Sequence, residues 1–277
     1  MMNGRVVLLS QVAWIFLLLP LGSVGHAGKL EEISDRGMVR IGVSLGGAPM
    51  GFYDWRNEPS GYDVDMAHRF AEKLGVEAEY TNVFGDARVS MLVSGQLDVV
   101  IANMTATATR AKSVDFSIPY LKAGLRVIVH KDAHIFELDD LAGKKIVVGR
   151  GSSGEVFIRG RVPGAELVYT DNFSPNAILL LRQKRVDAAI EDNSLIDYLA
   201  KKNPEYVLLP GLFLSGPISI GMAQGDPEFV KWVDRFVSEY ISSGDYDRSY
   251  RKWWGEDMTP PKLDTAMRVL TIAVREY

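Results

Sequence analysis

An α/β fold divided into two lobes is predicted by three features of the chain. Short apolar runs of strand character alternate with helical patterns along most of its length. Two irregular stretches, at Pro119-Tyr120 and from Pro210 to Pro217, each stand just before a new apolar run. The composition, 47% hydrophobic and 24% charged, is that of a soluble globular protein and excludes disordered, collagen-like and coiled-coil classes.

The elements follow in order. Arg5, an apolar stretch from Val6 to Leu21 broken only by Ser10 and Gln11, and the small residues Gly25 and Ala27 at the −3 and −1 positions describe a cleavable secretory signal over residues 1–27. The run is shorter than the roughly 20 residues a spanning helix needs, which argues against an uncleaved anchor. Removing 27 residues from 277 leaves 250, enough for one large or two modest domains. Leu30 to Arg36 reads as a helix stopped by Gly37, and Val39 to Val43 as a strand. In Asp63 to Leu74, Ala67, Phe70, Ala71 and Leu74 share one helix face, and Gly75 ends it. Ala87 to Ser94 is a shorter helix before Gly95, followed by the strand Val99 to Ala102.

The second half repeats the rhythm, with strands at Ile146–Val148, Leu167–Tyr169 and Ala188–Ile190 and helices near 154–161, 174–183 and 193–202. Parallel sheets covered by helices on both faces are expected. If the chain crosses at both irregular stretches, lobe 1 is discontinuous, about 28–121 plus 217–257, and lobe 2 spans about 125–212. Leu125 to Val129 and Ile218 to Met222 then begin new strands after the crossings. The closing helix opens at Asp226-Pro227, carries Phe229, Trp232, Val233, Phe236, Val237, Tyr240 and Ile241 on one wide stripe, and stops at Gly244. Such aromatics read as core. Residues 258–277, after Trp253-Trp254-Gly255, form a tail.

Charge and cysteine content narrow the function. Without the leader, 30 basic residues stand against 35 acidic ones, a net charge of −5 that leaves no electrostatic footprint for nucleic acid or anionic lipid. The absence of cysteine removes disulfides, thiolate catalysis and a lipid-modified N-terminal Cys. His68, His130 and His134 have no metal-ligand spacing, and Leu45-Gly46-Gly47-Ala48 lacks the phosphate-loop pattern, so no cofactor or metal is expected. His68 reads as the exposed side of its helix.

The most informative stretch is Asn103-Met104-Thr105-Ala106-Thr107-Ala108-Thr109-Arg110, leading to Val114-Asp115-Phe116-Ser117-Ile118-Pro119-Tyr120. It follows a buried-looking strand and starts a helix, which places free N–H groups and hydroxyls at the carboxyl end of a strand, where α/β sheets bind ligands. The guanidinium of Arg110, one turn in, suits a carboxylate. Taken alone, such threonines are caps and such an arginine a surface residue, and the local pattern leaves that alternative open.

The wider pattern decides between them. Asn-x-Thr-x-Thr-x-x-Arg followed by Val-Asp-Phe-Ser-x-Pro-Tyr resembles the extracytoplasmic solute-binding proteins of polar amino acid ABC transporters. Gly61-Tyr62-Asp63-Val64-Asp65-Met66, Ser94-Gly95-Gln96-Leu97-Asp98, Leu141 to Val148, Val186-Asp187-Ala188-Ala189 and Tyr250-Arg251-Lys252-Trp253-Trp254-Gly255 are similar to the family's segments in the same order, covering about residues 38–257. The resemblance implies a type II periplasmic-binding-protein fold, two α/β lobes joined by a two-strand hinge. It implies that Arg110 pairs with a ligand α-carboxylate, helped by the backbone N–H groups of Thr105 and of Ser153, in the Gly151-Ser152-Ser153-Gly154 turn. Asp192 corresponds to the acid that holds the α-ammonium, with the Thr105 hydroxyl and the Asn103 carbonyl completing the clamp. The competing reading of Asp192 is an N-cap for the helix from Asn193. Glu191 is expected at the surface or rim.

Side-chain selectivity is expected from Ser44, Met50 and Phe52 on one wall. The family's aromatic near Gly46-Gly47 is absent, so Phe52 or Tyr120 would have to replace it. Arg88 resembles an arginine that meets a side-chain carboxylate in some aspartate and glutamate binders, and Arg150 is a second, solvent-facing cation. The resemblance thus implies a periplasmic, non-lipidated monomer that binds an amino acid, glutamate or aspartate first and glutamine or another polar amino acid next, and delivers it to a membrane ABC permease. The alternative is an enzyme like the periplasmic cyclohexadienyl dehydratases, with Glu191 as its nearest acid. A sensory or transglycosylase module is disfavoured, because no kinase or muramidase segment is present in the sequence.

Overall fold

The computed structural model describes residues 28–263. The expected leader, residues 1–27, and residues 264–277 of the tail lie outside the described residues. The first segment runs α1 (Lys29–Arg36), β1 (Met38–Val43), a small hairpin of β2 (Phe52–Tyr53) and β3 (Pro59–Ser60), α2 (Tyr62–Leu74), β4 (Glu77–Asn82), α3 (Ala87–Val93), β5 (Val99–Val100) and α4 (Ala108–Ala111). The chain then enters β6 (Val114–His130), a strand of 17 residues. A 3-10 turn at Leu138–Leu141 leads to β7 (Lys145–Gly149), α5 (Ser153–Arg161), β8 (Glu166–Thr170), α6 (Phe173–Arg182), β9 (Ala188–Asp192), α7 (Asn193–Lys202) and β10 (Tyr206–Leu208). The return strand β11 (Phe213–Ala223) precedes α8 (Pro227–Ser242) and α9 (Asp245–Trp254).

The strands order as β4-β1-β5-β11-β6-β9-β7-β8, with β10 beside β6. In one lobe β1 lies between parallel neighbours β4 and β5, and in the other β7 lies between parallel neighbours β8 and β9. The wholly parallel sheets expected from the sequence become mixed, because β6 and β11 run antiparallel to their neighbours as well as to each other. These two strands pass through both lobes and form the hinge. Pro119 and Tyr120 do not interrupt β6. Pro119 faces Ser219, and the pairing shifts register on both sides of that residue, so the missing proline N–H falls at an irregularity.

Each lobe buries apolar side chains on both faces of its part of the sheet. The predicted stripe of α8 is core: Phe229, Val233, Phe236, Val237 and Tyr240 are buried, and Trp232 stacks on Phe236 at 6.1 Å. Each large apolar side chain so buried contributes about 1.5–3 kcal/mol. Two acids fix strand register in the same way in the two lobes. Asp98 accepts the Arg40 N–H at 2.8 Å while its own N–H donates to the Arg40 carbonyl at 2.9 Å. Asp187 accepts the Lys145 N–H at 2.8 Å and donates to the Lys145 carbonyl at 2.7 Å. Among the described residues no helix is long and apolar enough to cross a membrane.

Candidate functional site

The carboxyl ends of β1, β5, β7, β8 and β9 all point into the cleft between the lobes. The residues just past them line it: Ser44, Ala102 and Asn103, Arg150 to Ser153 apart from Gly151, Asp171, and Asp192 at the end of β9 itself. This is the crevice position expected of open α/β sheets. Thr105, Arg88 and Arg110 join them on the lobe 1 side.

Arg110 sits on the short helix α4, whose N-cap Thr107 accepts the Arg110 N–H at 3.3 Å. Its guanidinium donates to the Thr105 carbonyl at 2.8 Å and across the cleft to the Gly151 carbonyl at 3.3 Å. Burial, with Arg88 nearby, lowers its pKa to about 10, so it remains a cation at neutral pH. Arg88 is buried and fixed by two backbone acceptors, the Gly85 carbonyl at 2.9 Å and the Ala102 carbonyl at 3.0 Å. Burial also lowers its pKa.

Asp192 comes from the other lobe. It stands at the N-cap position of α7, yet its side chain makes no capping bond. Instead its Oδ2 accepts from Asn103 Nδ2 at 3.0 Å, a second contact between the lobes. Burial raises its pKa, opposed by Arg88 and Arg110. Asn103 adopts a left-handed backbone, φ 45°, and its Oδ1 is buried without a hydrogen-bond partner. Behind that turn, Asp63, fully buried at the start of α2, accepts from the Tyr120 hydroxyl at 2.8 Å. Burial pushes the Asp63 carboxyl up to about 7.

On the lobe 2 side Ser152 caps α5, its Oγ accepting the Glu155 N–H at 3.2 Å, while Ser153 begins the helix. The first-turn amides of a helix have no acceptor within it, and the positive end of the helix dipole faces the same point. The cleft therefore joins the arginines Arg88 and Arg110, buried carboxyl groups and a helix N-terminus around one cavity. That arrangement matches a small zwitterion.

Three expectations need correction. Phe52 does not line the cleft; the bridge between Gly47 and Gly51 turns Met50 inward, and the Phe52 ring meets Trp253 edge-on at 5.7 Å. Tyr120 is wholly buried in lobe 1 and serves Asp63. Glu191, expected at the rim, is buried in the cleft wall, where its Oε1 accepts the Asp192 N–H at 3.1 Å. The aromatic rings that do line the cleft are Phe84 and Phe173. Both follow the carboxyl end of a strand, β4 and β8, which is the one signal that would have found them. Arg150 is exposed, as expected, and stacks on the Tyr169 ring at 4.6 Å. Among the described residues no cluster of His, Cys, Asp and Glu suits a metal ion.

Comparison with known proteins gives this geometry a context. The bacterial extracellular solute-binding proteins, family 3, match residues 39–256. The ABC transporter glutamine-binding protein GlnH of Bacillus subtilis (strain 168) is 31% identical over 247 residues, 85% of this chain and 90% of that protein. An ancestral arginine-binding protein solved with arginine superposes with a TM-score of 0.74 at 36% identity, covering 79% of this chain and 99% of the other. The cysteine-binding protein of Campylobacter jejuni superposes with a TM-score of 0.79 at 28% identity, covering 84% and 97%. All three are binding proteins by name.

Proposed function

The chain belongs to the bacterial extracellular solute-binding proteins of family 3, and from that premise we propose that it captures a polar amino acid between its lobes and delivers it to a membrane ABC permease. The observation that carries this reading is the approach of Arg110 and Asp192 to one cavity from opposite lobes. A free amino acid carries its carboxylate and ammonium on one carbon, so it bridges those two groups and links the lobes. In the proposed pose the carboxylate takes Arg110 and the amides of Thr105 and Ser153, and the ammonium takes Asp192, the Thr105 hydroxyl and the Asn103 carbonyl. Ser44, Ser152 and Arg88 border the side chain, with Phe84 and Phe173 as apolar walls.

The lobes, 28–121 with 217–257 and 125–212, would move as two bodies about β6 and β11. Exclusion of water on closure strengthens each charged contact. The leader would be cleaved, releasing a monomer that is not lipid-anchored into the space outside the cytoplasmic membrane. Glutamate, aspartate and glutamine are the first candidates, since Arg88 lines the cavity beside the Arg110–Asp192 clamp, where a side-chain carboxylate or amide oxygen would meet it. The test is a thermal-shift screen of the twenty amino acids on ligand-stripped protein. A ligand at about 100 times its Kd stabilises the fold by about 2.7 kcal/mol, a clear rise in melting temperature. No rise with any amino acid would reject the reading.

A further inference from the structure

Glu191 is a buried acid in the cleft wall that the proposed pose does not use. Of the charged groups that line the cleft, Arg150 and Asp171 stand at the rim, and in the proposed pose Arg110 and Asp192 are taken by the ligand's own carboxylate and ammonium, which leaves the buried Arg88 and Glu191 for whatever side chain the ligand brings. Arg88 is held by two carbonyl oxygens and cannot swing away. Glu191 is equally confined: its Oε1 is bound to the Asp192 N–H, and a Cβ on Gly149 would lie 3.0 Å from its Oε2, so glycine at that position makes room for the carboxyl group.

Resting on the amino-acid reading above, we propose that Glu191 selects the charge of the ligand side chain. Ionised, it neutralises Arg88 within the cleft and favours neutral or cationic side chains. Protonated, it leaves Arg88 uncompensated, and an acidic side chain becomes the better partner.

The groups around Glu191 set its protonation. Asp192 lies beside it on β9, Arg88 comes from α3 and Arg110 from α4. Arg126, opposite in register on β6, lies within ion-pair distance of Asp197 on α7 at 3.4 Å. Arg150 and Asp171 at the rim approach each other at 3.8 Å, and Glu155 on α5 is held by Arg159 and Tyr169. Burial, and after it the neighbouring Asp192 charge, raise the Glu191 pKa above the usual carboxylate range.

Calorimetric binding of the twenty amino acids to the wild type and to Glu191→Gln, at about pH 6 and about pH 9, tests this. The wild type is expected to lose about tenfold in its preference for glutamate over glutamine across that range, and to gain for cationic side chains. Glu191→Gln, whose amide oxygen still accepts the Asp192 N–H, should keep the low-pH order at both values. The wild-type titration alone carries the test if the variant folds poorly. An order of preference that does not move with pH in the wild type, or that moves equally in the variant, overturns the role of Glu191. Absence of amino-acid binding to either protein at either pH would instead reject the underlying function.

Discussion

Arg110 and Asp192 are each held by bonds that cross the cleft, Arg110 to the Gly151 carbonyl and Asp192 from the Asn103 amide. A ligand must exchange these contacts for its own, so it gains most from groups already positioned and desolvated. Arg110→Ala is expected to weaken amino-acid affinity by about 100-fold or more, the usual cost of leaving a buried ligand charge unpaired, while retaining a cooperative unfolding transition. Titration calorimetry with the best amino acid measures it. Asp63 has a different signature. Its pKa rises from an ordinary value of about 4 to about 7 on folding, so the folded state holds its proton more tightly than the unfolded chain. Its stabilising contribution is complete below about pH 4 and is lost as pH climbs toward 7. Asp63→Asn should therefore flatten the decline of the urea midpoint between those values, and an unchanged slope would remove Asp63 from the account. At this scale the sequence was legible where a motif repeated a family pattern, as at Arg110 and Asp192. Glu191 is not legible, because nothing local in the sequence marks its burial in the cleft wall.

Among the elements, helices with an apolar stripe and a glycine stop are readable, as in α2 ending at Gly75 or α8 opening at Asp226-Pro227, whereas α9 is absent from the sequence reading. Strand β4 was missed. It is an edge strand, Glu-Ala-Glu-Tyr-Thr-Asn, with exposed and half-buried residues alternating and no apolar run to mark it. The continuity of β6 was also hidden, since Pro119 argues locally for a break while the bulge opposite it is supplied by β11. The family-like segment ending in Asp98 is explained by register. Asp98 is buried, pairs with Arg40 at 2.8 Å and with Arg36, and accepts the Arg40 N–H. Asp98→Ala should cost about 1–3 kcal/mol in urea unfolding, since it removes the acceptor of a part-buried amide and the partner of two part-exposed arginines. Gly47 meets the other lobe at α6: a Cβ there would lie 2.1 Å from Ser174 Cβ, on a backbone with φ 150°. Gly47→Ala should hold the lobes apart and reduce ligand affinity by at least about tenfold, with lobe packing intact by circular dichroism.

For the whole molecule, the two lobes on one pair of hinge strands touch through cross-cleft bonds, and under the proposed function an open state would lack them. Ser174 donates its N–H to the Gly46 carbonyl at 3.0 Å, alongside the Asn103–Asp192 and Arg110–Gly151 contacts. A ligand shifts the balance only by its preference for the closed state. Small-angle scattering should therefore show a smaller radius of gyration on amino-acid addition to the wild type and none for Gly47→Ala. The two-lobe plan is legible from the irregular stretches at Pro119-Tyr120 and from Pro210 to Pro217, which fall on or beside the hinge strands β6 and β11. The closeness of the lobes was not, because it depends on glycines meeting backbone across the cleft, a long-range fit that no local pattern encodes. The central claim is that one amino acid links Arg110 of one lobe to Asp192 of the other. A crystal structure with the amino acid that stabilises the protein most tests it directly: the α-carboxylate should lie on Arg110 and the α-ammonium on Asp192. A ligand bound outside the cleft, or within it without touching both residues, would contradict the account.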